Sequence, residues 1–361
     1  MAKMSGNDLK SKVIRCDRTR PIAVDLFCGS GAVTAALKAN GYHVAAAVDF
    51  NDICRQTYVL NHPEVRFRRK DIRQLQPSEI AAAIPRGRQV DLMAVCAPCQ
   101  PFSSQNRRRG AQDTRAPLIL ESVRLARALK PRMIIFENVP GIAASPIFQR
   151  LQRALATAGY VLGNPLRVDA ADYCVPQRRV RCIVAALRAP ARMRDFTRSA
   201  RGAKRVTVRD VLGNLRPLSS GECDPSDALH VSRTHHEITL KRLAVIPQNG
   251  GGRDSLPPEL QLACHKNRDA GDFCDVYGRM RWDDVAPTLT TGCTDVTRGR
   301  YAHPRDNRAI TLREAARLQT FPDQYRFAGN RSQIAEQIGN AVPFEMIRRL
   351  ICGLRQTFAS P

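Results

Sequence analysis

The sequence predicts an α/β protein: a doubly wound, mostly parallel sheet with a second, smaller domain of irregular and β structure. Three observations point there. Short apolar strands alternate with helical stretches from Pro21 to Leu187. The alternation then stops, and residues 191–287 contain turn-rich pieces such as QNGGGRDSLPPE. Helical patterning returns at residues 312–319 and again at 333–354.

In chain order, residues 1–20 are polar and basic without periodicity, and are expected to form a flexible tail. IAVDLF is the first strand, followed by a helix over 32–40. VAAAVDF is the second, followed by a helix over 52–61. The buried run VDLMAV, a helix over 118–129, the strand RMIIFENV, a helix over 147–159 and the strand VRCIVAAL complete the sheet.

The chain of 361 residues is long enough for two domains. Ordinary apolar content with 22 Gly and 23 Pro excludes fibrous and disordered classes. No apolar run reaches membrane-spanning length, so no membrane partner is expected. Twelve scattered cysteines, many inside apolar runs, point to a reducing cytoplasm rather than to disulfides. Cys96 and Cys99 form a lone CxxC without a second pair, so no metal is expected. The net charge of +24 favours a polyanionic partner, with nucleic acid foremost; the excess is spread along the chain and locates no site.

Cys99 lies in Pro98-Cys99-Gln100-Pro101-Phe102-Ser103, at the carboxyl end of VDLMAV. Chemistry in open α/β sheets sits at such ends. Flanking prolines stiffen the turn and suit it to hold a nucleophile. Taken alone, a buried structural cysteine is the plainer reading. The first strand ends in Asp25-Leu26-Phe27-Cys28-Gly29-Ser30-Gly31, where glycines permit a tight turn and a helix N-terminus favours an anionic group. Asp49 ends the second strand, where an acid commonly accepts from a ribose. Asp71-Ile72 is placed to close the side near an adenine. Thr34 stands where a nicotinamide fingerprint wants a third glycine, so S-adenosyl-L-methionine, which has no pyrophosphate, fits better than NAD.

Two further segments are Phe136-Glu137-Asn138-Val139 and Gln177-Arg178-Arg179-Val180-Arg181. With PCQPFS they resemble the C5-cytosine methyltransferase family. DLFCGSG is similar to its cofactor loop, Thr288-Leu289 to the start of its late conserved region, and REAARLQ and QIGNAVP to its closing motifs. The order matches as well, and the resemblance covers residues 22–190 and 287–350.

The resemblance implies a class I methyltransferase (Rossmann-like) sheet and a DNA (cytosine-5-)-methyltransferase. It would use S-adenosyl-L-methionine, release S-adenosyl-L-homocysteine, and act on a cytosine flipped out of double-stranded DNA. Cys99 would be the nucleophile on C6, Glu137 the N3 partner, and Arg179 and Arg181 would orient the base and favour the thiolate. The cofactor would be met by Asp25, Phe27, Gly29, Ser30, Gly31, Asp49, Phe50, Asp71, Ile72, Pro98, Leu118 and Asn340. Residues 103–115 correspond to the family's mobile DNA-closing loop, with Ser103, Arg107, Arg108 and Arg109 as contacts. Thr288 and, from the loops 248–255 and 290–300, Arg253, Arg298 and Arg300 are further DNA candidates.

By the same resemblance, residues 21–190 form the catalytic and cofactor domain and 191–287 the target-recognition region. Residues 288–332 are the late conserved region linking the two, and 333–361 return to the catalytic domain. Cys174, Val180 and Asp49 stand where the family often has Gly, Glu and Glu. A bacterial cytoplasmic monomer is expected, serving restriction-modification beside a separately acting endonuclease or working as an orphan methylase. Two alternatives remain at this point: a tRNA cytosine-5 methyltransferase, and a non-catalytic DNA-binding regulator on the same scaffold.

Overall fold

The computed structural model describes residues 19–102, 114–189, 195–202, 204–262 and 275–358. β1 (Ile22–Leu26), fully buried, leads to α1 (Ala32–Ala39), β2 (His43–Asp49) and α2 (Asp52–Asn61). β3 (Arg66–Arg69), α3 (Pro77–Ala81) and β4 (Leu92–Val95) follow. A 3-10 turn at Ala116–Leu120 runs into α4 (Glu121–Leu129), then β5 (Met133–Asn138) and α5 (Pro146–Thr157). β6 (Tyr160–Leu162), β7 (Leu166–Asp169) and β8 (Val180–Arg188) close the sheet.

The strand order is β3-β2-β1-β4-β5-β8-β6, with β7 also paired to β8. Strands β3 to β5 of this order are mutually parallel; β8 is antiparallel to β5, β6 and β7. The sheet is thus mostly parallel, as the alternation predicts. Apolar runs alone do not reveal β3, whose sequence is RFRR. Charged residues on an edge strand discourage pairing with another chain, and their polarity hides the strand from hydropathy. β6 and β7 are too short to show a period.

Alternating strand residues face two layers. On one side, Ala23, Leu92, Ile135 and Ile183 pack against α1 and α11 (Phe344–Phe358). Met346, Ile347, Leu350, Ile351 and Leu354 form the buried stripe of α11 at helical spacing. Each such side chain contributes about 2 kcal/mol by its burial. Phe196 and Ala200, at α6 (Thr197–Ala200), lie in this same cluster. On the other side, Val24, Met93 and Phe136 meet α3, α4 and α5.

A second core gathers α7 (Val208–Leu212), α9 (Leu312–Leu318) and α10 (Arg331–Asn340) around Leu289, Ile310 and Ile338. α8 (Glu237–Val245) belongs to a smaller cluster with Tyr277 and Val296. Between residues 204 and 311 the β structure amounts to isolated bridges among the described residues. Buried backbone acceptors there need other donors. Arg279, 1% exposed, supplies them to the carbonyls of Leu243, Ile246, His303, Arg305 and Asp306 and to the Asn307 side chain.

Candidate active site

Three strand ends converge on Cys99. β4 and β5 pair with Val95 beside Phe136, so the Cys99 turn and Glu137 emerge side by side. Asn138 Nδ2 donates to the Ala97 carbonyl at 3.0 Å, tying that turn to the end of β5. Glu137 lies opposite Ile183 on β8. Side chains two residues apart on a strand share a face, so Arg181 is the diagonal neighbour of Glu137. Arg181 Nε lies 2.9 Å from Glu137 Oε1. In the sequence, Asn138 is marked only by its adjacency to Glu137.

Burial pushes the Cys99 thiol above its usual range, and the Glu137 carboxylate adds to this, while Arg181 and Arg179 oppose it. The arginines act in the direction expected from sequence, but desolvation and Glu137 outweigh them. The positive charges thus favour the thiolate, and burial with Glu137 sets the net direction.

Arg179 has a different environment. Its two terminal nitrogens donate at 3.0 Å to the carbonyls of Leu289 and Gly339. Nε, also buried, has no partner among the described residues. Burial, with Arg181 nearby, lowers its pKa to about 9. Gly339 makes this approach possible: a Cβ there would stand 2.4 Å from Thr290 backbone atoms. Gln177 ties the same late segments to β8. It accepts from Leu289 N at 2.9 Å and donates to Gln319 Oε1 at 3.0 Å.

The glycine loop runs from β1 into α1. Phe27, Gly29 and Gly31 all have positive φ, at 59°, 51° and 96°. Asp49 stands under the loop, accepting from Gly29 N and Asn51 N, each at 2.9 Å. Asp25, fully buried, accepts from Thr34 Oγ1 at 2.7 Å through one oxygen; its other oxygen, Oδ1, has no partner among the described residues. Burial pushes its carboxyl up to about 7. Phe50 beside Asp49 is 72% exposed. Ser30 and Ile72 are buried, Pro98 and Leu118 half-buried, and Asn340 exposed at the end of α10. Asp71 binds the Arg73 side chain, which holds its carboxyl below the usual range.

A sequence model of the C-5 cytosine-specific DNA methylase family matches residues 22–355. This chain belongs to that family. It is 36% identical over 349 residues to the Type II methylase M.HgiDII of Herpetosiphon aurantiacus, covering 92% of this chain and 96% of that one. It is 30% identical over 330 residues to the Type II methyltransferase M.Eco47II of Escherichia coli, covering 90% and 76%. Its fold is similar to the S. pombe Dnmt2 methyltransferase, with a TM-score of 0.65 and 18% identity over 94% of this chain and all of that one. It is also similar to a prophage-encoded E. coli candidate DNA modification methyltransferase, with a TM-score of 0.73 and 22% identity over the same shares.

In this methylase the other predicted DNA contacts have mixed settings. Ser103, Arg107, Arg108 and Arg109 lie outside the described residues. Arg298 is exposed and Arg253 half-buried. Thr288 is exposed, its hydroxyl donating to the Arg178 carbonyl at 2.7 Å. Arg300 is half-buried and paired. Its Nε pairs with Asp275 at 3.0 Å, and a terminal nitrogen donates to the carbonyls of Gly250 and Arg279. Cys174 adopts φ 59°, the left-handed region that favours the family's glycine. Val180 opens β8, and its carbonyl accepts from Arg181 at 2.7 Å.

Proposed function

We infer that this methylase transfers a methyl group from S-adenosyl-L-methionine to C5 of a cytosine flipped from a specific duplex DNA sequence. The observation that carries the reading is the buried Glu137–Arg181 pair facing the Cys99 turn. A cytosine ring is a poor carbon nucleophile. Addition of the Cys99 sulfur to C6 breaks its conjugation and makes C5 enamine-like. Glu137 is assigned to hold N3 protonated as the ring gains electron density. Arg181 steadies that carboxylate and offers donors to the base. Arg179, both ends on backbone carbonyls, keeps the late segments seated and adds positive charge. Once C5 has gained the methyl group, loss of its proton to a base and expulsion of the sulfur restore the ring.

The cofactor loop suits the family's cosubstrate. An orphaned buried acceptor on Asp25, open space at the missing Cβ of Gly29 and the exposed ring of Phe50 supply an acceptor, a close approach and an adenine platform. When bound, S-adenosyl-L-methionine supplies an electrophilic methyl group and leaves as S-adenosyl-L-homocysteine. Asp25, Phe27, Gly29, Ser30 and Gly31 would meet its amino-acid end. Asp49, through lone pairs its two backbone amides leave, would accept from the ribose. Phe50, Asp71, Ile72, Pro98, Leu118 and Asn340 complete the assigned set.

Residues 191–287 are proposed as the target-recognition region, between a catalytic domain at 21–190 and linking and returning segments at 288–332 and 333–361. Its Type II relatives support service in restriction-modification, with a separate cognate endonuclease. Among the described residues no helix is long and apolar enough to cross a membrane. A cytoplasmic monomer is our assignment.

Incubation with labelled S-adenosyl-L-methionine and duplex DNA, read by bisulfite sequencing, tests activity and target together. Methylated cytosine at one sequence, lost in Cys99→Ser, is the expected result. No transfer by the wild type, or transfer unchanged in Cys99→Ser, overturns the reading. Preference for tRNA in competition would favour the RNA alternative. Failure to trap DNA carrying 5-fluorocytosine, whose final proton removal is blocked, would favour a non-catalytic scaffold.

A further inference from the structure

Two loop carbonyls are held from outside the loop. Tyr325 Oη donates to the Ser30 carbonyl at 2.6 Å. His62 Nε2 lies 3.1 Å from the Gly31 carbonyl and 3.2 Å from Tyr325 Oη. A carbonyl only accepts, so Nε2 carries the hydrogen. Lys38 Nζ, which only donates, stands 3.3 Å from Nδ1, and that nitrogen therefore accepts. Both neighbours select the same neutral tautomer. Burial, then Lys38, lowers the His62 pKa to about 4, so no imidazolium forms beneath the loop at neutral pH. The fit is close: a Cβ on Gly31 would stand 2.8 Å from the His62 ring and 2.9 Å from Tyr325 Oη.

Tyr325 comes from the second core, almost 300 residues along the chain from the loop it holds (|i−j| = 295). Its ring packs against Phe321 and Phe327, with centroids 4.9 and 5.4 Å away. Asp323, two residues earlier, pairs with Arg317 of α9 at 2.7 Å. His62, by contrast, caps α2 within the sheet domain. The last turn of the glycine loop is therefore gripped jointly by the two cores.

We propose that Tyr325 and His62 are positioning residues that set the shape of the cofactor loop through the Ser30 and Gly31 carbonyls, so that cofactor affinity depends on how residues 321–327 are seated. The proposal rests on the reading of this loop as the S-adenosyl-L-methionine site.

Tyr325→Phe keeps the ring packing and deletes the hydroxyl. His62→Leu removes the donor, and His62→Gln restores an amide N–H near the Nε2 position. Binding of S-adenosyl-L-homocysteine to the full chain is measured by titration calorimetry, beside KM and kcat on duplex DNA and thermal unfolding. Loss of one buried hydrogen bond predicts a Kd raised about 5- to 20-fold in Tyr325→Phe and His62→Leu. Cofactor KM should rise in parallel with kcat within about twofold, the pattern expected when ground-state and transition-state binding fall together. His62→Gln should recover most of the affinity. Wild-type binding with Tyr325→Phe within twofold of it overturns the proposal. Wild type that binds no S-adenosyl-L-homocysteine overturns the cofactor reading beneath it. Should Tyr325→Phe unfold below the assay temperature, the His62→Leu and His62→Gln pair decides: equal affinities overturn the proposal, and recovery in the glutamine variant supports it.

Discussion

Arg181 and Glu137 meet at 2.9 Å across an antiparallel strand pair, with side-chain exposures of 10% and 9%. Ile183, two residues from Arg181, is the register partner of Glu137, so strand pairing fixes the contact before any substrate arrives. The pair keeps a carboxylate buried beside a thiol, and that placement has opposite consequences for alkylation and for methyl transfer.

Glu137→Gln separates them. The carboxylate raises the Cys99 pKa, so its removal lowers it and increases the thiolate fraction at a given pH. Alkylation of Cys99 by iodoacetamide near pH 8 should therefore accelerate in Glu137→Gln, while methyl transfer falls by about 10²- to 10⁴-fold for a lost acid–base group. Cysteine-specific peptide mapping against time reads the first effect. Slower alkylation than wild type would contradict the proposed electrostatics. In the wild type, alkylation should climb with pH through the neutral range, because the thiol titrates above its usual value.

Arg181→Met leaves Glu137 buried without its partner. Breaking a buried pair from one side costs about 3 kcal/mol or more. Denaturant unfolding should show the loss, and the double variant Glu137→Gln with Arg181→Met should recover part of it. Additive losses in that cycle would mean that the two side chains do not interact in solution.

Glu314 governs acid stability in the second core. Burial alone would raise its carboxyl, but the charge and paired hydrogen bonds of Arg308, at 2.8 Å, hold it at about 2. The folded value lies below the ordinary 4.5, so the stabilisation is present above pH 4.5 and disappears as pH falls toward 2. The shift corresponds to about 3 kcal/mol. Glu314→Gln should be less stable than wild type at pH 7, with the gap narrowing between pH 4.5 and 2. Thermal melts across that window check this; a constant gap would assign the lost stability to packing.

Cys174 is strained for a simpler reason. At φ 59° it caps the short turn Ala170–Tyr173, where a Cβ is disfavoured by about 1 kcal/mol. Cys174→Gly should hold or raise the melting temperature, and the β-branched Cys174→Val should lower it by several degrees. Methyl transfer measured on both variants at low temperature should stay close to wild type, since the side chain's Sγ donates to the Lys204 carbonyl at 3.6 Å and packs against Gly202.

The sequence by itself determined the strand and helix alternation, the thiol on its stiff turn and the ordered set of Cys99, Glu137 and QRRVR. These are local: each rests on a few adjacent residues and on patterns that hydropathy and turn chemistry expose. The edge strand β3 is hidden from hydropathy because three of its four residues are arginine, and β6 and β7 because three or four residues carry no period. Only the tertiary structure decided which guanidinium meets Glu137, that Arg300 pairs with Asp275, and that burial and Glu137 push the Cys99 thiol up. It alone brought Tyr325 onto the Ser30 carbonyl. Such facts depend on burial and on the register of distant strands, and no window of neighbouring residues contains them.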